Sequence, residues 1–284
     1  MSLVVAWVVG FLAVRYLLIA GKDLVEADAL RRVNFRGAVV FTAAGIVIAM
    51  AALIVEAGRS GLGAIGLGDE PGLNLARQPV LFAALGFAFL GFLDDMLGGE
   101  DRGFRGHLRA LAAGRLTSGM IKLLGGAAIA LVLASVPGFV TWQRLVADAV
   151  LIALAANLAN LLDRAPGRTL KWSMLAYIPL AVVAGAGSVG VAVAPVMGAA
   201  VGVLPEDLRE RVMLGDTGAN VLGGVLGLMV VLVCERGVRN GVLVALIVLN
   251  LVSEVVSFSR VIAAVPPLRW FDSLGRIPVG DTAT

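Results

Sequence analysis

The sequence predicts an all-α, polytopic membrane bundle of about nine helices, and three observations carry that expectation. Of its 284 residues, 59% are hydrophobic and only 15% charged. Mean hydropathy is +0.95. Apolar runs near the length of a bilayer span, roughly 20 residues, recur from end to end. A soluble domain of this size cannot hide so much apolar side chain, whereas a bilayer solvates it.

The runs fall at 2–20, 38–56, 79–93, 118–137, 145–162, 172–186, 187–204, 218–234 and 241–259. The first has no basic residue ahead of its apolar stretch and no evident cleavage site, so it reads as a retained helix rather than a signal peptide. The sixth and seventh are divided only by Gly185, Ala186, Gly187 and Ser188. The 36 glycines suit close approach between neighbouring membrane helices. No fixed-period repeat or low-complexity linker divides the chain, and a single membrane-embedded domain over 1–284 is expected.

Charge sets the expected orientation. Sixteen basic residues fall in loops at 21–37, 94–117, 163–171 and 205–213 and in the tail after the ninth run. The intervening loops hold five: Arg59, Arg77, Arg144, Arg236 and Arg239. The positive-inside rule therefore predicts an outer N-terminus and a cytoplasmic C-terminus in a cell membrane. A single cysteine, Cys234, and a single histidine, His107, exclude an intramolecular disulfide framework and any His-pair metal motif. The net charge of +3 is spread through loops and forms no nucleic-acid stripe.

Four polar clusters sit at the expected cytoplasmic rim. Asp94 and Asp95 end the third run, where paired carboxylates need a cation, a hydrated pocket or simply a solvated helix end. Lys122 lies inside the fourth run and either snorkels to the interface or faces a phosphate or carboxylate in the bundle. Asn157, Asn160 and Asp163 follow one stripe of the fifth run. They suit a hydrated or metal-bearing cleft, or interhelical hydrogen bonding by the two asparagines. Asp216, between Gly215 and Gly218 at the start of the eighth run, suits either a helix cap or a magnesium ligand. Together these groups form an inventory for holding magnesium against a diphosphate. His107, in a basic amphipathic segment, reads as an interfacial residue more readily than a phosphate ligand.

The motifs Phe92-Leu93-Asp94-Asp95, Thr117-Ser118-Gly119-Met120-Ile121-Lys122, Asn157-Leu158-Ala159-Asn160-Leu161-Leu162-Asp163 and Gly215-Asp216-Thr217-Gly218-Ala219-Asn220 occur in this order. In that order the chain, from about residue 30 to 260, resembles the polyprenyl-phosphate N-acetylhexosamine-1-phosphate transferase superfamily, of the glycosyl transferase family 4 type. The resemblance implies Mg2+-dependent transfer of a sugar-1-phosphate from a UDP-sugar, of the UDP-N-acetylhexosamine type, to a polyprenyl phosphate (undecaprenyl or decaprenyl), with release of UMP. It implies Asp216 as principal metal ligand with Asn160 contributing, and Lys122 as a phosphate-contacting cation. Asp94 becomes the candidate base for the prenyl phosphate, supported by Asp95, and Asp163 matches a frequent acid. Lys122, Asn157 and Arg269 are the residues expected to meet the donor. Membrane lipid is an expected partner, and a homodimer a permitted assembly.

The chain also departs from the pattern. Bacterial members carry a histidine-rich loop after the ninth helix and a tenth helix beyond it. Here the tail holds Arg269 and Arg276 and no histidine, and no further span is evident. The segment after Asp163 reads Arg164-Ala165-Pro166-Gly167-Arg168 in place of a glycine-rich acidic stretch. These differences set the chain apart from the peptidoglycan translocase branch. Two other readings compete: a non-catalytic relative that binds lipid phosphate, and a transporter or flippase. The transporter reading expects polar groups near the bilayer midplane rather than at one rim.

Overall fold

The computed structural model describes residues 2–21, 30–33, 37, 39–68, 75–97, 114, 117–138 and 141–277. Among the described residues, nine long helices match the nine apolar runs: α1 (Leu3–Ala20), α2 (Ile46–Ala64), α3 (Arg77–Leu97), α4 (Ser118–Ala134), α5 (Trp142–Leu162), α6 (Arg168–Ala184), α7 (Ser188–Leu208), α8 (Gly215–Val233) and α9 (Arg236–Ser253). Seven of them are long and apolar enough to cross a membrane. Of the other two, α4 is apolar but 17 residues long, and α6 is also 17 residues long. Two short helices, α10 (Phe258–Ala264) and α11 (Pro266–Ser273), follow. His107 lies outside the described residues.

Local signals explain the boundaries. Thr117 and Thr141 sit at the N-caps of α4 and α5, where their hydroxyls accept from the amides of Met120 and Arg144. Gly185 takes a left-handed φ of +52° and ends α6, which splits the sixth and seventh runs where the glycines predicted. The second run is the one misplaced element. Its expected helix over 38–56 begins only at Ile46, because Val39–Phe41 form strand β2 instead. These residues pair antiparallel with β1 (Arg31–Val33), and the β-branched valines favour that pairing.

Helix α8 is the axis of the bundle and the most deeply buried of the candidate spans. It packs against α3 and α5, with α6, α7 and α2 closing around it. Glycines let the backbones meet. At Gly45, ahead of α2, an added Cβ would strike the backbone of Gly218 in α8. At Gly91 in α3, it would lie 2.5 Å from the carbonyl oxygen of Asp216. Helix α1 lies along α7 through the same kind of contact, with Gly198 against the Trp7 carbonyl.

The charged residues separate to the two ends of the bundle. At one end Glu56 pairs with Arg59 and Arg77, while Arg144 and Arg239 both engage the fully buried carboxylate of Asp148. Pairing of this kind is what makes charge tolerable inside a membrane bundle. The other end gathers Asp94, Asp95, Lys122, Asn160, Asp163 and Asp216.

The glycine contacts make a stability prediction. Gly45→Ala forces the α2–α8 junction apart, at a cost of about 1–3 kcal/mol, and lowers the melting temperature in detergent. Gly58, in α2, has open space around it, so Gly58→Ala melts at or above wild type by about 0.5–1 kcal/mol of helix propensity. Equal melting of the two variants contradicts the packing described.

Candidate active site

Three helix ends converge on one ammonium group. Lys122, in the first turns of α4, places Nζ 3.2 Å from Asp94 Oδ2 of α3 and in a short ion pair with Asp216 Oδ2 of α8. All three side chains are only partly exposed, at 21–29%. The lysine therefore does not snorkel away. It neutralises two carboxylates that would otherwise repel each other at short range.

Asp95 has a different position from its neighbour. Its Oδ1 accepts from the Asp216 amide at 3.1 Å, and its Oδ2 accepts from the Thr217 amide at 3.0 Å and the Thr217 hydroxyl at 2.6 Å. Helix α8 has Leu214 at its own N-cap and no capping side chain there. Asp95 supplies the cap from α3, and a carboxylate suits the positive end of the helix dipole. The sequence expected Asp95 to support a base or a metal, and in the structure both of its oxygens hold the start of α8. Arg32 of the hairpin donates to the Asp95 carbonyl at 3.2 Å, which ties β1 to the same corner.

Asn160 lies beside Asp216 at the end of α5 and its side chain interacts with that carboxylate, but its buried Nδ2 makes no hydrogen bond of good geometry. Amide orientation is a matter of assignment, and an amide turned the other way would present Oδ1 towards the Asp216 carboxylate and any cation held there. The donor set of Asp216, Asp94 and Asn160 is all oxygen. It fits magnesium, which takes one or two protein carboxylates and leaves its other positions to water and phosphate. Among the described residues no group of three or more acidic, histidine or cysteine side chains forms a metal cage. Any cation here would share its shell with a substrate.

Asn157 does not share the Asn160 environment. Its Nδ2 donates to Asn250 Oδ1 of α9 at 2.7 Å, the interhelical hydrogen bond that the sequence held open. It also lines a groove of about 480 Å³ that starts at Asp94 and Lys122 and runs between α4 and α5. Leu123, Gly126, Ala127, Ala153 and Leu154 make its walls apolar, and Glu254 stands at its edge. Arg269 is exposed on α11 and lines neither this groove nor the smaller cavity described next.

Asp163 caps α5 beside a second cavity of about 130 Å³, lined also by Arg164, Pro166, Asp207, Glu210 and Leu214. Burial, then the carboxylates of Asp207 and Asp216, push its carboxyl well above the ordinary range, against a hydrogen bond with Thr169. Asp207 is a site residue that sequence reasoning missed. Its carboxylate accepts from the Gly167 amide at 2.6 Å and the Leu214 amide at 3.1 Å. It thereby joins the loop that follows Asp163 to the segment that leads into Asp216. Backbone bonds from Met213 to Phe41, and from Ala44 and Gly45 to Met213 and Leu214, hold the other side of that segment. In sequence, Pro205-Glu206-Asp207 looks like an ordinary solvated helix end.

The raised Asp163 carboxyl gives a pH prediction. The folded chain binds this proton more tightly than the unfolded chain, so stability falls as pH rises from about 4 through the raised value. Asp163→Asn keeps the neutral form at every pH. Its melting temperature in detergent exceeds wild type by more at pH 8 than at pH 5. A deficit that grows with pH contradicts the placement of Asp163 beside the Asp207 and Asp216 carboxylates.

Residues 78–234 match the family model described as glycosyl transferase family 4. Similar curated proteins include the phospho-N-acetylmuramoyl-pentapeptide-transferase of Deinococcus radiodurans, 31% identical over 198 residues. That alignment covers 65% of this chain and 59% of the relative. The enzyme of the same name from Rhodopseudomonas palustris is 28% identical over 207 residues, with 62% and 57% covered. The chain thus spans less than three fifths of the length of these curated relatives. The family match takes in more than half of the chain, including Asp94, Lys122, Asn160 and Asp216. The chain is a multi-pass membrane protein that belongs to glycosyl transferase family 4.

Proposed function

We propose that the protein transfers a sugar-1-phosphate from a UDP-sugar to a polyprenyl phosphate in a magnesium-dependent reaction that releases UMP at the cytoplasmic face of the membrane. The observation that carries this reading is Lys122 poised between Asp94 and Asp216 at the head of an apolar groove. That arrangement offers a phosphate a cation and a carboxylate at one end, and offers a hydrocarbon chain a path at the other. The cytoplasmic placement follows the positive-inside count in the sequence, sixteen basic residues in the loops and tail expected on that side against five in the intervening loops.

Phosphoryl transfer asks a protein chiefly for in-line positioning and charge neutralisation. In this reading the groove between α4 and α5 seats the prenyl chain and delivers its phosphate to Lys122. Asp94 accepts the acceptor phosphate's remaining proton, where one is present. Lys122 balances charge on the donor diphosphate and on the departing UMP. Asp216, with Asn160, would hold magnesium, which when bound polarises phosphate oxygens and offsets the charge that develops on them. Asp95 and Asp207 keep the loops in place. The smaller cavity sets the charged side chains of Asp163, Arg164, Asp207 and Glu210 among apolar ones, and Asp163 is close enough to Asp216 to feel its charge; we assign it the nucleotide end of the donor. The donor belongs to the UDP-N-acetylhexosamine class, with the pentapeptide-bearing sugar named by the relatives as one member to be tested.

The test is UMP release by purified protein with undecaprenyl phosphate, magnesium and a panel of UDP-sugars. Release that requires both lipid and magnesium, and that falls by roughly 10²-fold or more in Asp216→Ala and Asp94→Asn, is the expected result. Wild-type turnover in both variants, or release without lipid, contradicts the assignment.

A further inference from the structure

The most heavily bonded contact at the site end of the bundle involves residues that the transfer reaction does not use. After α9 the chain turns back through α10 and α11 and docks on the start of α6. Arg168 grips Asp272 with two hydrogen bonds, from Nε at 2.8 Å and Nη2 at 2.9 Å, and both side chains are more than nine-tenths buried. Its remaining nitrogen, Nη1, donates to the Ser259 hydroxyl of α10 at 2.8 Å. Lys171, one turn along α6, donates to the carbonyls of Phe271, Asp272 and Leu274 and so caps the C-terminal end of α11. Trp172 meets the Phe271 ring edge-on at 5.2 Å.

One member of this cluster reaches past it. Arg276 donates from Nη2 to Asp272 at 2.7 Å and from Nε to the Pro166 carbonyl at 2.8 Å. Pro166 lies in the 163–167 loop, whose Gly167 amide is held from the other side by Asp207. The loop is thus clamped between two charged groups, one anionic on α7 and one cationic on the tail. Gly167, with a left-handed φ of +68°, and Gly275, at +75°, both close against Leu208 of α7, leaving little room for another loop path. Burial alone would raise the Asp272 carboxyl, but the bonds and charges of Arg168 and Arg276 outweigh it and hold the group ionised below its usual range. A buried carboxylate that serves two guanidiniums is a strong, directional tie.

We propose that Asp272 is a positioning residue. Through Arg276 and the Pro166 carbonyl it fixes the 163–167 loop, and with it the wall of the cavity that takes the donor nucleotide. The inference rests on the transferase reading above for its kinetic consequence, but not for its structural one. The acceptor groove is lined by α3, α4, α5, Asn220 of α8 and Glu254, with no residue of the 163–167 loop, so loosening the clamp acts first on the donor side.

The experiment compares full-length wild type with Asp272→Asn, Asp272→Glu and Arg276→Gln in detergent, by hydrogen exchange and by kinetics. Asp272→Asn and Arg276→Gln should speed exchange of the amides over 164–171 about tenfold, the effect of losing one charge-assisted hydrogen bond. Exchange over the segments that carry Asp94 and Asp216 stays as in wild type. The same two variants raise KM for the UDP-sugar about tenfold, with kcat and KM for the prenyl phosphate little changed. Asp272→Glu, which keeps the carboxylate, recovers most of the loss. Unchanged exchange over 164–171 overturns the proposal, as does a fall in kcat at constant donor KM. Arg276→Gln leaves the Arg168–Asp272 pair intact, so it decides the matter should Asp272→Asn fail to fold. If wild type itself releases no UMP, the transferase reading fails, and the exchange comparison alone upholds or overturns the clamp.

Discussion

The site exists because α3 can touch the backbone of α8. At Gly91 no side chain separates the two helices, and an added Cβ would fall 2.5 Å from the Asp216 carbonyl oxygen. That contact carries Asp94 and Asp95, one turn further on, to the first residues of α8. The two neighbours then divide the work. Asp95 turns to the α8 amides and caps the helix, while Asp94 faces Lys122 across the gap to Asp216. A larger residue at position 91 would part the helices and dissolve both arrangements together.

Charge is the second constraint. Two carboxylates at a bilayer rim repel each other and resist desolvation, and one ammonium between them relieves both penalties. In the proposed reaction Lys122 would exchange its carboxylate partners for phosphate oxygens without leaving the cleft. Two further acids at this end tie down the chain. Asp207 bridges Gly167 and Leu214, and Asp272 draws the tail onto α6. Among the described residues, the 163–167 loop, the segment before Asp216 and the tail are thus each anchored by a buried carboxylate, and Asp94, Lys122 and Asp216 sit on helix ends.

Much of this was legible in the sequence. The apolar runs gave the nine long helices in order, and Gly185 through Ser188 marked the break between α6 and α7. Asp94, Lys122, Asn160 and Asp216 were each picked out as costly polar groups on apolar helices, and the structure brings them to one place. The hairpin was missed because Val39, Val40 and Phe41 are as apolar as a membrane helix, and only pairing with Arg31–Val33 distinguishes them. For Asp95 and Asn157 the sequence shows the residue type but not the partner. One caps α8 and the other meets Asn250. Asp207 and Asp272 were invisible for a related reason. A carboxylate at a helix end reads as solvated until the chain folds back over it, and the loop that covers each lies far away in sequence.

In the proposed reaction Asp216, beside Asp94 and Lys122, holds a divalent cation shared with phosphate. Titrating manganese into the purified protein with UDP present, and following free and bound metal by electron paramagnetic resonance, tests this at the metal itself. Wild type should show a bound manganese signal that Asp216→Asn removes while Asp163→Asn retains it. An undiminished signal in Asp216→Asn, or no bound manganese in folded wild type, would contradict it.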